Sequence, residues 1–185
     1  AIAAFNEARK VYTLQAFPVQ YATPQNNLGN AYRDLADVRD KEENLGKAIA
    51  AFNEARKVYT LQAFPMDYAM TQNNLGVAYG DLAGVKDKEG NLGKAIAAYT
   101  EALKVYTLPA FPVQYAMTQN NLGNAYRNLA DVRDKEENLG RAIAAYNEAL
   151  KVRTLLAFPM DYAETTFHMG RLRLQAGDFA SAEGS

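Results

Sequence analysis

The chain has 185 residues, of which 49% are hydrophobic, so it has enough apolar surface to form a core and extended disorder is excluded. Its net charge is −1, which gives no basic surface, and we therefore expect no nucleic-acid partner and no membrane partner. Cysteine is absent, which excludes disulfides and thiolate chemistry and is compatible with a reducing, cytoplasmic location.

The sequence repeats itself every 47 residues. The segment AIAAFNEARKVYTLQAFP begins at Ala1, and related segments begin at Ala48, Ala95 and Ala142. A period of this length predicts an array of units, each of which buries its apolar face only against its neighbours. We therefore predict a single array over residues 1–185. Its units are the second helix of an incomplete unit at 1–17, full repeats at 18–64, 65–111 and 112–158, and a partial final repeat at 159–185.

The first helix of a full repeat is predicted to begin at a proline. Proline follows phenylalanine at Phe17-Pro18, and it fits the first turn of a helix, where its missing N–H would have been unpaired. The helix is expected to run to about Asp37, because helical spacing links the apolar positions Tyr21, Leu28, Ala31, Tyr32 and Leu35. Pro24 lies inside this segment. Its ring and its missing N–H predict a kink, or a late start of the helix near Thr23.

A charged stretch separates the first helix from a second one. Asp40 and Glu43 resemble a capping box at the start of the second helix. The middle repeat has Asp87 and Gly90 at these positions, so we expect a weaker cap there. The second helix is predicted to end near Leu61, after the apolar positions Leu45, Ile49, Phe52, Ala55, Val58 and Tyr59.

Each repeat resembles the tetratricopeptide repeat. The resemblance rests on two motifs, Leu28-Gly29-x-x-Tyr32 in the first helix and Ala48-x-x-x-Phe52-x-x-Ala55 in the second. Both motifs recur in the next two repeats. The usual unit of that family has about 34 residues, so we expect lengthened helices here. The resemblance implies an all-α fold, a right-handed superhelical α-solenoid of helix–turn–helix repeats.

Two details refine the resemblance. The Gln-Asn-Asn-Leu-Gly run, together with the length of the repeat, resembles the repeats of a long-repeat subgroup. That subgroup includes kinesin light chains and arrays associated with bacterial signalling proteins. The last unit differs, because the spacing from Gly170 to Ala182 matches the ordinary family unit, with a corner at Gly177-Asp178-Phe179. We therefore expect the final repeat to revert to the short form, and the chain to be part of a larger signalling or regulatory protein.

The resemblance also implies a binding face. In the family, ligand contacts come from first-helix positions on either side of the motif glycine, which line a concave groove. Asparagine side chains both donate and accept hydrogen bonds, and can therefore bind the backbone of an extended peptide. The alternative is that these asparagines bond to the neighbouring repeat and hold the stack together. The implied peptide-binding residues are Asn26, Asn27, Asn30, Arg33, Asn73, Asn74, Asn120, Asn121, Asn124 and Arg127.

No catalytic or cofactor site is expected from the sequence. His168 is the single histidine, so one chain has no histidine cluster to bind a metal, and no nucleophile is evident beside it. We therefore expect a non-catalytic scaffold with a protein or peptide partner and without a cofactor. The alternative is a self-association module. The chain begins inside a repeat, so we expect Ile2, Phe5 and Val11 to have no helix packed against one side. Other copies of the chain could pack there.

Overall fold

The computed structural model describes residues 1–175, which form α-helices and no strand, as the sequence predicts. The described residues belong to two compact units, one covering Ala1–Val105 and one beginning at Tyr106. Within each unit, neighbouring helices pack against each other in succession, as in an α-solenoid. The helices are α1 (Ile2–Val11), α2 (Pro18–Ala36), α3 (Lys41–Ala55), α4 (Pro65–Ala83), α5 (Lys88–Ala102), α6 (Pro112–Ala130), α7 (Lys135–Leu150) and α8 (Pro159–Gln175).

The first helices α2, α4 and α6 each have 19 residues and begin at the predicted proline. The predicted late start near Thr23 is wrong, because α2 is helical from Pro18 onward and continues through Pro24. Packing provides the reason, since Ala22 and Gln25 on either side of Pro24 are both buried. Tertiary burial of the helix face therefore outweighs the hydrogen bond that the proline removes.

The starts of the second helices differ from the predicted capping boxes. Asp40 lies in the left-handed region with φ of 47° and makes no side-chain hydrogen bond to the cap. Asp87 has φ of 41°, and its side chain accepts a hydrogen bond from the backbone N–H of Gly90 at 3.2 Å. The predicted order of cap strength is therefore wrong. A Cβ at Gly90 would lie 2.8 Å from Asp87 Oδ1, so only glycine lets the carboxylate approach this closely.

The second helices end earlier than predicted. Helix α3 ends at Ala55, and a nine-residue connection of turns over 56–64 leads to α4, so the predicted end near Leu61 is wrong. Tyr59 is nevertheless buried, packs with Ala22 and Ala55, and has its hydroxyl 2.7 Å from Thr23 Oγ1. Apolar spacing therefore continues past the helix because the connection itself is part of the core.

The motif glycine lets the two helices of a repeat approach each other. A Cβ on Gly29 would lie 2.7 Å from Phe52 Cδ1, and one on Gly123 would lie 2.8 Å from Tyr146 Cδ1. The aromatic ring thus occupies the volume that any side chain at the glycine would need. The 19 residues of α2 and the 15 of α3 together match the length of a usual family unit, so the helices are lengthened as predicted.

The predicted short final repeat, with its corner at Gly177-Asp178-Phe179, lies outside the described residues. Helix α8 is described to Gln175 and packs on α7 in the second unit. Leu172 of α8 is fully buried there with Ala142 and Tyr146. The described part of the last repeat therefore supplies a first helix to the core of that unit.

Candidate functional site

Three of the asparagines implied as ligand contacts are buried. Asn26, Asn73 and Asn120 are 4%, 7% and 3% exposed. In the first unit, Thr71 Oγ1 of α4 donates a hydrogen bond to Asn26 Oδ1 of α2 at 3.3 Å. In the second unit, Thr165 Oγ1 of α8 donates to Asn120 Oδ1 of α6 at 3.0 Å. These contacts favour the alternative interpretation for Asn26 and Asn120, in which they join the first helices of successive repeats.

The other implied residues remain accessible. Asn27 is exposed, and six more are partly exposed, namely Asn30, Arg33, Asn74, Asn121, Asn124 and Arg127. In α2 and in α6 the three accessible positions follow one another at spacings of three residues, which places them on one face of each helix. We call the surface that these residues form within each unit the first-helix face of that unit. The middle repeat contributes Asn74 alone, because Val77 and Gly80 replace the asparagine and the arginine.

Asn124 and Arg127 belong to a hydrogen-bonded cluster in the second unit. The Tyr146 hydroxyl donates to Asn124 Oδ1 at 2.7 Å. Arg127 Nη1 lies 2.6 Å from His168 Nδ1, and the His168 ring stacks on Tyr146 with centroids 6.1 Å apart. Glu164 Oε1 lies 3.7 Å from His168 Nε2. The cluster fixes the side chains of α6, α7 and α8 relative to one another at the first-helix face.

The surroundings of His168 favour its neutral form. Burial lowers the pKa of His168, and the neighbouring Arg127 guanidinium lowers it further. An arginine can only donate, so the short contact requires His168 Nδ1 to accept and its proton to reside on Nε2. That proton points toward the Glu164 carboxylate. Sequence reasoning treated His168 as an isolated residue, and only the packing of α8 beside α6 brings it to Arg127.

In the first unit, the first-helix face carries a partly buried carboxylate. Burial raises the pKa of Asp81, and the nearby charges of Arg33 and Lys41 lower it in part. Asp81 directly follows Gly80, whose missing side chain leaves open space on α4. This part of the first unit therefore combines amide, guanidinium and carboxylate groups, a set that can form hydrogen bonds with backbone groups and ion pairs with charged side chains.

Two further properties concern the described residues. No group of three or more His, Asp or Glu side chains among residues 1–175 is arranged to hold a metal ion. In the same part of the chain, no helix combines the length and the apolar character needed to cross a membrane.

Comparison with known families supports the repeat architecture. Residues 116–153, which cover most of α6, all of α7 and the first turn after it, match the family model described as tetratricopeptide repeat. A search of curated proteins found no match to the chain. Together with the 47-residue repetition and the successive helix pairs, the match shows a tetratricopeptide-type repeat protein. Repeats of this type generally mediate protein–protein interactions, and the comparisons identify no enzyme family.

Proposed function

We propose that the protein is a non-catalytic scaffold whose units each bind an extended segment of a partner protein along the first-helix face. The observation that carries this proposal is the recurrence of accessible polar residues at matched repeat positions. Asn27, Asn74 and Asn121 are each 47 residues apart and are exposed or partly exposed on their helices. A row of equivalent polar groups suits a partner whose own backbone groups repeat along its length.

The chemistry of the face matches an extended backbone. Each asparagine amide offers both a donor and an acceptor, so it pairs with the N–H and the C=O of one peptide unit. Arg33 in the first unit and Arg127 in the second add guanidinium groups that bind acidic side chains or carbonyl oxygens. Asn26 and Asn120, buried one position before Asn27 and Asn121, support the face by joining its helices through Thr71 and Thr165.

Affinity capture from a lysate of the source organism tests the proposal. The bait is compared with a variant in which Asn27, Asn74 and Asn121 are changed to alanine. A second variant with Asn53→Ala and Asn147→Ala on the second helices is the matched control. We expect one retained protein to be lost by the first variant and kept by the control, with circular dichroism showing equal helicity. A partner kept equally by all three baits would contradict the proposed face.

Self-association is the second candidate function, and exposed apolar residues of the second unit favour it. Leu156 is 96% exposed and Met160 is 82% exposed, although Gln62 and Pro109 occupy the position of Leu156 in the other repeats. Sedimentation velocity at increasing concentration measures the mass directly. If the mass rises with concentration and Leu156→Gln restores a monomer, this surface joins copies of the chain. A constant monomer mass would remove this candidate.

A further inference from the structure

A groove in the first unit begins between the starts of α3 and α5 and continues beside α4 and α5 as far as Glu101. Two cavities form it, with volumes of about 770 Å³ and 450 Å³. The larger is lined by the beginnings of α3 and α5, with Leu82 and Lys86 beside them. The smaller is lined by α4 and by α5 as far as Glu101, with Arg56 at its edge. We call these two cavities together the outer groove, and Lys94 lines both of them.

Lys94 lacks the carboxylate that its counterparts have. At the equivalent positions, Lys47 pairs with Glu43 at 2.6 Å and Arg141 pairs with Glu137, in each case four residues earlier on the same helix. The residue four positions before Lys94 is Gly90, which has no side chain to offer. Among the described residues, no acidic group forms an ion pair with Lys94. The groove therefore presents a cation at a position where the other two repeats neutralise theirs.

The Lys94 side chain is nevertheless held in place. Its Nζ lies 5.6 Å from the centre of the Tyr79 ring, in a cation–π contact. The same contact joins Lys47 to Tyr32 at 5.7 Å in the preceding repeat, where the carboxylate is present. Such contacts restrict a flexible lysine at modest strength and leave its remaining N–H groups free to donate. Lys94 is thus positioned as Lys47 is, with one partner fewer.

Five acidic groups line the groove, and all of them except Asp40 have partners, Glu43 through its ion pair with Lys47. Glu42 pairs with Lys86 at 2.6 Å, which links the two repeats. Asp87 accepts from the N–H of Gly90. Glu101 accepts from the Tyr68 hydroxyl at 2.7 Å and pairs with Lys104, and these two hydrogen bonds lower its pKa.

Two more cations lie along the groove. Lys41 and Arg56 are exposed, and no ion pair is formed by either within the described residues. Asp40, at the mouth of the groove, makes no side-chain hydrogen bond to the cap of α3. Within the described residues, three cations of the groove therefore form no ion pair, namely Lys41, Arg56 and Lys94, against two carboxylates that form none, Asp40 and Asp87.

We propose that the outer groove binds an acidic extended segment of a partner protein, one carboxylate of which takes beside Lys94 the place that Glu43 takes beside Lys47. This surface is separate from the first-helix face. From the N-cap residue Asp87 to Glu101, 14 helical steps of 1.5 Å span about 21 Å along α5. About six residues of extended chain cover that distance at roughly 3.4 Å each.

The test uses a defined probe. A fluorescein-labelled octapeptide of alternating glutamate and serine is titrated with the full chain and followed by fluorescence anisotropy. The same peptide with glutamine in place of glutamate is the uncharged control. We expect binding of the acidic peptide only, and its affinity should fall as salt is added. Lys94→Gln should weaken binding about fivefold, as expected for the loss of one well-placed ion pair at a protein surface.

Gly90→Glu is the sharper variant. It restores the carboxylate that the other repeats carry, so the internal glutamate should compete for Lys94 and weaken binding to a similar extent. The fold tolerates glutamate at this position, because the preceding repeat has Glu43 there. In that repeat the equivalent of Asp87 is Asp40, which makes no side-chain cap hydrogen bond. Arg141→Gln is the matched control, because Arg141 is paired with Glu137 and neither residue lines the groove, and this variant should bind as the unaltered chain does.

Carbodiimide crosslinking locates the contact. It should join the acidic peptide to the tryptic fragment that contains Lys94, in preference to the fragment that contains Lys47. Absence of binding by the unaltered chain, full binding by Lys94→Gln, or an equal loss with Arg141→Gln would overturn the proposal. The variant with alanine at Asn27, Asn74 and Asn121 should bind the octapeptide normally, so the two proposed surfaces succeed or fail separately.

Discussion

Replacing Gly123 with alanine should destabilise the second unit, because Tyr146 occupies the space that a methyl group needs. A Cβ at Gly123 would lie 2.7 Å from Tyr146 Cε1 and 2.8 Å from Cδ1, whereas ordinary contacts of this kind are 3.4–4 Å. The ring has no room to move, since Tyr146 is fully buried and its hydroxyl is fixed to Asn124 at 2.7 Å. Relief of the contact therefore requires α6 and α7 to separate or the hydrogen bond to break.

The expected magnitude follows from two opposing terms. Glycine to alanine inside a helix stabilises by about 0.5–1 kcal/mol. Overpacking of a filled core costs about 1–3 kcal/mol. Gly140→Ala on α7 is the control, because nothing lies within 4 Å of the Cβ that it would add. Since both variants gain the same helix propensity, the difference between them isolates the packing cost of about 1–3 kcal/mol.

Circular dichroism at 222 nm, recorded against temperature and against urea, measures both variants beside the unaltered chain. For a chain of this size, each kcal/mol shifts Tm by about 2–4 °C. Gly140→Ala should unfold slightly above the unaltered chain, and Gly123→Ala should unfold about 2–12 °C below Gly140→Ala. If Gly123→Ala proved as stable as Gly140→Ala, the close approach of the two helices would not be a constraint, and this reasoning would be refuted.

Three further changes test buried polar groups by urea unfolding. Arg153→Met should lower the free energy of unfolding by about 1–2 kcal/mol, because the guanidinium is 9% exposed and donates to Thr165 Oγ1 at 3.2 Å; an unchanged midpoint would contradict this. Burial and Arg127 hold the pKa of His168 below its ordinary value, so the unfolded state takes up a proton first and stability should fall as pH drops below about 6.5. His168→Asn should remove that dependence below about pH 6.5, and an equal slope in both proteins would exclude His168 as its source. Gln25→Leu should leave stability unchanged or raise it by about 1 kcal/mol, since the Gln25 amide nitrogen is buried without a hydrogen-bond partner; a clear loss would show that the amide is needed.

Much of the helical framework is predictable from local sequence. The starts at Pro18, Pro65 and Pro112 follow from the geometry of proline, and the end of α2 at Ala36 lies within one residue of the predicted position. These features depend on residues adjacent in the chain, which the sequence displays directly. The 47-residue period also reveals that each repeat must bury its apolar face against another, because identical units cannot each form a separate core.

Helix ends and caps required the tertiary structure. Tyr59 has the apolar spacing of a helix but lies in a buried turn, and periodicity alone does not distinguish these two ways of being buried. The cap at Asp87 forms because Gly90 leaves room for the Asp87 carboxylate. How closely the two residues approach each other is visible only in the three-dimensional structure.

The sequence by itself determined that this chain is a helical repeat array and which helix faces carry asparagine. Only the tertiary structure separated Asn26, which bonds to Thr71 of the next repeat, from its exposed neighbour Asn27. Only the tertiary structure brought His168 to Arg127, and placed Lys94 between two cavities. The physical reason is the same for Asn26, His168 and Lys94. In a repeat array, the residues that pack against a side chain decide whether it is buried and which group it contacts, and many of these residues are distant in sequence.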